Sequence, residues 1–90
     1  MNHDIDVLPE LKEIVGSLLF AAKEPLNLKQ LRKAMIDTGT VLKGPFEQYI
    51  KVDEEQVESA IEELQQDLER QKLGLEVAQV AGGWRLQNNV

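Results

Sequence analysis

The hydrophobic period of this chain changes once, at Gly74, and that change constrains its fold class. Before Gly74, apolar residues recur at helical spacing; after it, they alternate along an extended chain. Helices followed by a hairpin make an α+β domain.

Three helical stripes precede the change. Pro9 suits a helix's first turn, where a missing N–H costs nothing. From there Leu11, Ile14, Val15, Leu18, Leu19 and Ala22 share one face, and Lys23-Glu24-Pro25 ends the helix. Asn27 and Gln30 form a capping box for a second helix, with Leu26 and Leu31 as its hydrophobic staple. Leu28, Leu31, Ala34 and Met35 give this helix its buried side. Asp37-Thr38-Gly39-Thr40 reads as a turn, which places its end near Ile36. The same grammar recurs at Asp53 and Gln56, with Val52 and Val57 as the staple. Val57, Ala60, Ile61, Leu64 and Leu68 follow as a stripe, and Gly74 is placed to close a third helix running from Glu54 to Lys72.

Beyond Gly74, residues 75–80 and 84–87 alternate around Ala81-Gly82-Gly83, which reads as a β-hairpin. Three helices and a two-stranded hairpin, in this order, predict a single winged helix-turn-helix domain over residues 9–87. Residues 1–8 form a flexible leading segment. The third helix takes the recognition position and the hairpin is the wing. Residues 37–52 are an insert between helices two and three. It carries Val41, Leu42, Phe46, Tyr49 and Ile50 around Gly44-Pro45, too apolar for a solvated linker. It is either packed over the core or offered to a partner.

Composition removes several function classes. Ninety residues make one domain, which buries only about 60–65% of its unfolded surface and leaves little room for a deep substrate cavity. Cysteine is absent, so no disulfide framework or thiolate metal site is available. Met1-Asn2-His3-Asp4-Ile5-Asp6 lacks the basic start and apolar run of a secretory signal. No apolar run approaches the roughly 20 residues that cross a bilayer. A cytoplasmic domain without a membrane partner is expected. His3 stands alone, Ser17 and Ser59 have no adjacent histidine, and Gly82-Gly83 precedes a strand rather than a helix N-terminus. No catalytic residue, cofactor site or metal site is predicted, and the protein is expected not to be an enzyme.

Charge bears on nucleic acid. Asp53, Glu54, Glu55, Glu58, Glu62, Glu63, Asp67 and Glu69 are acidic, and no basic residue lies between 53 and 69. DNA binding needs lysine and arginine to displace counterions, so groove reading by this helix is disfavoured. The acids are either a solvated face or a docking surface for a basic protein segment. Lys29, Arg32 and Lys33 make helix two basic on one side. They either pair with the acids of helix three or, with Arg85 of the wing, form a weak nucleic-acid patch.

The remaining apolar residues suggest protein contacts. Phe20 falls opposite the stripe of helix one, one turn after Gly16. It either packs under the wing or joins Gly16 in an interface. Trp84 is either core or a contact hot spot. The candidate interface is therefore Gly16, Phe20, Val41, Leu42, Phe46, Tyr49 and Ile50.

The string Val80-Ala81-Gly82-Gly83-Trp84-Arg85-Leu86-Gln87, with Leu11–Phe20 followed by Glu24-Pro25-Leu26, Gly74-Leu75-Glu76-Val77 and the acidic third helix, resembles the N-terminal winged-helix domain of bacterial segregation and condensation protein B. The resemblance covers residues 11–36 and 53–87. It implies a non-catalytic accessory subunit of the SMC–kleisin complex that condenses and segregates the chromosome, cytoplasmic and nucleoid-associated. It further implies a homodimer that binds the kleisin, segregation and condensation protein A, and through it the SMC ATPase. The family's second winged-helix domain is absent from this chain, and segment 37–52 is longer than the family's usual link. The alternative is a DNA-binding winged-helix regulator, for which Lys29, Arg32, Lys33 and Arg85 speak.

Overall fold

The computed structural model describes residues 9–88, which hold four helices and one hairpin. His3 and the leading segment 1–8 lie outside the described residues. Helix α1 runs Leu11–Ala21, with Glu10 as its N-cap, so Pro9 stands before the cap rather than in the first turn. A carboxylate oxygen of Glu13 accepts the Glu10 N–H at 2.8 Å and ties off that start.

Helix α2 spans Leu28–Leu42 and starts with the expected reciprocal bonds. Asn27 accepts from the Gln30 N–H and Gln30 from the Asn27 N–H, both at 2.8 Å. The expected stop near Ile36 is wrong. The Thr38 and Thr40 hydroxyls donate to the carbonyls of Ala34 and Ile36, which keeps these side chains inside the helical pattern. Gly39 is no turn residue. It is buried in α2, where a Cβ would lie 2.7 Å from the Phe46 carbonyl oxygen and 2.8 Å from Ile50 Cγ1. Its missing side chain lets the following segment fold back onto the helix. The reversal uses two successive left-handed residues, Lys43 (φ 58°) and Gly44 (φ 60°).

The folded-back segment is a 3₁₀ helix, Gly44–Lys51. The insert therefore divides between the last turns of α2 and this helix. Tyr49 is buried, and its hydroxyl donates 2.7 Å to the Pro9 carbonyl, pinning the insert to the entry of α1. Phe46 is half-buried, its ring 6.3 Å from that of Tyr49 and tilted.

Helix α3, Glu54–Gln71, starts with the second reciprocal capping box, at 2.8 and 2.9 Å between Asp53 and Gln56. Its left-handed cap is Lys72 (φ 53°, ψ 44°), not Gly74. Gly74 is also left-handed, at φ 77°, and leads into the hairpin.

Strands β1 (Leu75–Val80) and β2 (Gly83–Asn88) pair antiparallel, from Leu75 opposite Asn88 to Val80 opposite Gly83. The hairpin is anchored at two points. Gln65 Oε1 of α3 accepts the Val77 N–H at 2.7 Å. The Leu26 and Trp84 backbones exchange two hydrogen bonds at 2.9 and 2.8 Å, so Leu26 acts as a one-residue third strand. The core is Val15, Leu19, Leu31, Met35, Tyr49, Val52, Val57, Ala60 and Ile61, drawn from all four helices and the link Val52; Val77, Trp84 and Leu86 pack against it from the hairpin.

Candidate protein-interaction surfaces

Phe20 does not pack under the wing: it is 82% exposed. With Gly16 it lines an open groove of about 390 Å³ whose other apolar walls are Leu64, Leu68 and Leu86. Sequence reasoning assigned Leu64 and Leu68 to the core stripe, yet both are only half-buried. The readable signal was length. Helix α1 has 11 residues and α3 has 18, about 16 against 27 Å, so α1 cannot cover the whole stripe. A Cβ on Gly16 would sit 3.5 Å from Leu64, at ordinary contact distance.

The insert's candidates separate. Tyr49 belongs to the core and Phe46 packs against it, so neither is free for a partner. Val41, Leu42 and Ile50 are exposed, as is Leu73 beyond α3, a residue the sequence did not single out. Trp84 is half-buried against the core.

The charges also differ from expectation. Lys29, Arg32 and Lys33 do not pair with α3. Arg32 Nε donates 2.8 Å to the Val52 carbonyl, Lys33 pairs at 3.3 Å with Asp37 of its own helix, and Lys29 is exposed. The physical reason is packing: α3 rests mainly on α1, so Lys12 of α1 reaches Asp67 at 2.7 Å. Arg70 also pairs with Asp67. The hydrogen bond from Lys12 holds the Asp67 carboxyl below its ordinary pKa, and the same bond raises the Lys12 ammonium. Burial raises the Tyr49 phenol. Arg85 is exposed and follows Trp84, so it lies on the opposite face of the hairpin from the core-packed Trp84 and Leu86. Among the described residues there is no group of His, Asp or Glu that could hold a metal ion, and no helix long and apolar enough to cross a membrane.

Element order, hairpin register and the Leu26 bridge define a winged-helix domain, one whose third helix carries carboxylates where a DNA reader carries cations. The chain belongs to the family described as segregation and condensation complex subunit ScpB, whose family model matches residues 13–90. It is similar to a crystal structure described as a dimer of ScpB N-terminal domain complexed with ScpA peptide. That match has a TM-score of 0.63 and 32% identity, covering 91% of this chain and 81% of that one. A conserved hypothetical protein from Chlorobium tepidum (TM-score 0.59, 23% identity, 87% of this chain) and ScpB from Mycobacterium tuberculosis (0.55, 18%, 91%) share the fold. This chain spans 40% and 43% of their lengths. No curated protein matches the sequence.

Proposed function

We propose that this chain is a non-catalytic accessory subunit of an SMC–kleisin chromosome condensation and segregation complex, acting in the cytoplasm on the nucleoid as a homodimer that binds the kleisin. The observation that carries the reading is its 32% identity, over 91% of its length, to an ScpB domain described as a dimer with ScpA peptide. The groove around Phe20 supports it, because a large exposed aromatic in an apolar setting is where contact energy concentrates. We assign the second copy to this groove, with Gly16 and Phe20 at its centre. Val41, Leu42 and Ile50 are a separate apolar contact for the complex.

The regulator alternative is weaker. Of its four cations, Arg32 and Lys33 already have intramolecular partners, and α3 presents carboxylates to a phosphate backbone.

Sedimentation across a concentration series tests the reading. The wild type should dimerise, and Phe20→Asp should remain folded and monomeric. An ScpA-derived peptide should bind the dimer, with duplex DNA no better than about millimolar at physiological salt. A wild type as monomeric as the variant overturns the dimer assignment; low-micromolar, sequence-dependent DNA binding promotes the regulator.

A further inference from the structure

A second groove, of about 520 Å³, runs between α3 and the hairpin. Val77 and Trp84 give it a half-buried apolar strip, Gln65, Gln66 and Gln79 line the rest, and Glu62 and Glu69 of α3 stand exposed at its rim. Its two walls are fixed relative to each other. Gln65 Oε1 of α3 accepts the Val77 N–H across it, and the Leu26 bonds to Trp84 separately hold the hairpin to the link between α1 and α2. A ligand therefore meets a formed cleft and bears little of the ordering cost.

The rim is acidic, with one cation close by: Lys72 lines the adjoining cleft beside Glu69. Neither Glu62 nor Glu69 takes part in an ion pair among the described residues. Arg85 lies on the other face of the hairpin, one residue after the Trp84 that lines the groove. Glu62 and Glu69 are seven residues apart, about 10 Å along the helix axis. The third helix is the element that enters the major groove in helix-turn-helix readers, but here its exposed carboxylates repel phosphate and attract cations.

We propose that this groove binds a short amphipathic segment of a partner protein carrying two arginines about two helical turns apart, with apolar residues between them. The arginines engage Glu62 and Glu69, and the apolar residues cover Val77 and Trp84. Guanidinium fits better than ammonium because its fork matches a carboxylate in two places. The proposal rests on the reading of this chain as a protein-binding subunit, but uses none of the residues around Phe20.

The probe is a fluorescein-labelled helical peptide with two arginines two turns apart and leucines between them, titrated by anisotropy. Its counterpart has glutamine at both arginines. The arginine peptide should bind the wild type and the glutamine peptide should not. The double variant Glu62→Lys with Glu69→Lys should lose about tenfold in affinity or more. Glu54→Lys with Glu58→Lys changes the net charge equally at positions that do not line this groove, and should stay within about twofold. Equal losses in the two double variants would reduce the site to general charge attraction and overturn the proposal. Equal binding of the glutamine peptide, absence of binding up to about 1 mM, or displacement of the peptide by duplex DNA would each do the same. Sedimentation of the same samples keeps the two readings apart. A monomer that binds the peptide overturns the dimer assignment alone, and a dimer that ignores the peptide overturns this proposal alone.

Discussion

A Cβ placed on Gly83 would stand 2.1 Å from the carbonyl oxygen of Leu26. That is inside any permissible contact, and the obstacle is backbone, which cannot swing aside as a side-chain end can. The Gly-Gly pair thus serves two needs. Gly82, at φ 95° with open space around it, makes the turn, while Gly83 admits the Leu26 strand to the hairpin.

Gly83→Ala should therefore cost about 2–4 kcal/mol, combining a clash with a strained φ of 137°. Gly82→Ala has strain without a clash and should cost about 1–2 kcal/mol. Urea unfolding of both variants measures the difference, and equal losses would refute the Leu26 contact.

Two helical glycines should respond with opposite signs. In a helix interior alanine is favoured over glycine by about 1 kcal/mol. Gly16→Ala meets Leu64 at an ordinary 3.5 Å and should stabilise by about 0.5–1 kcal/mol. Gly39→Ala meets the Phe46 carbonyl oxygen at 2.7 Å and should destabilise despite its better propensity. Thermal melts of both variants made in the Phe20→Asp background, at one concentration, would show it free of any change in self-association.

The Lys12–Asp67 pair sets a pH window. Asp67 is depressed in the folded state, so its contribution is present above the unfolded carboxyl value of about 3.9 and is lost as pH falls through the folded value. Lys12 is raised, so its contribution is present below about 10.4 and is lost as pH rises through the folded value. Asp67→Asn should melt lower than wild type at neutral pH, and the gap should close in acid. A gap that does not change below pH ~3 would contradict the linkage.

The sequence made some of this structure plain and concealed the rest for definite reasons. Asn27 with Gln30 and Asp53 with Gln56 marked two helix starts, because a cap is a bargain among four neighbouring residues and owes nothing to the rest of the fold. Residues 75–80 and the turn after them were readable because alternation is equally local. Gly39 misled, since a glycine that permits close packing looks in sequence like one that permits a turn; only the return of Phe46 and Ile50 distinguishes them. The basic side of α2 misled in a similar way. Charge was readable in Lys29, Arg32 and Lys33, but which helix would lie beside α3 was not. At the candidate surfaces, the helical wheel set Phe20 opposite the stripe, where it is exposed, while Leu64 and Leu68 sat on the core stripe, and only the shortness of α1 beside α3 signalled that they would be half-covered.

The Tyr49 hydroxyl and the Pro9 carbonyl are 40 positions apart along the chain. Bringing such distant ends together costs about 3 kcal/mol of loop entropy, whereas the capping boxes close within a single turn. The clasp is therefore expected to form late in folding, after the barrier. Removing the hydroxyl in Tyr49→Phe should cost about 1 kcal/mol, and nearly all of that should speed unfolding, by up to about fivefold, with the refolding rate unchanged. In kinetic terms, that hydroxyl should prolong the lifetime of the folded domain without hastening its formation.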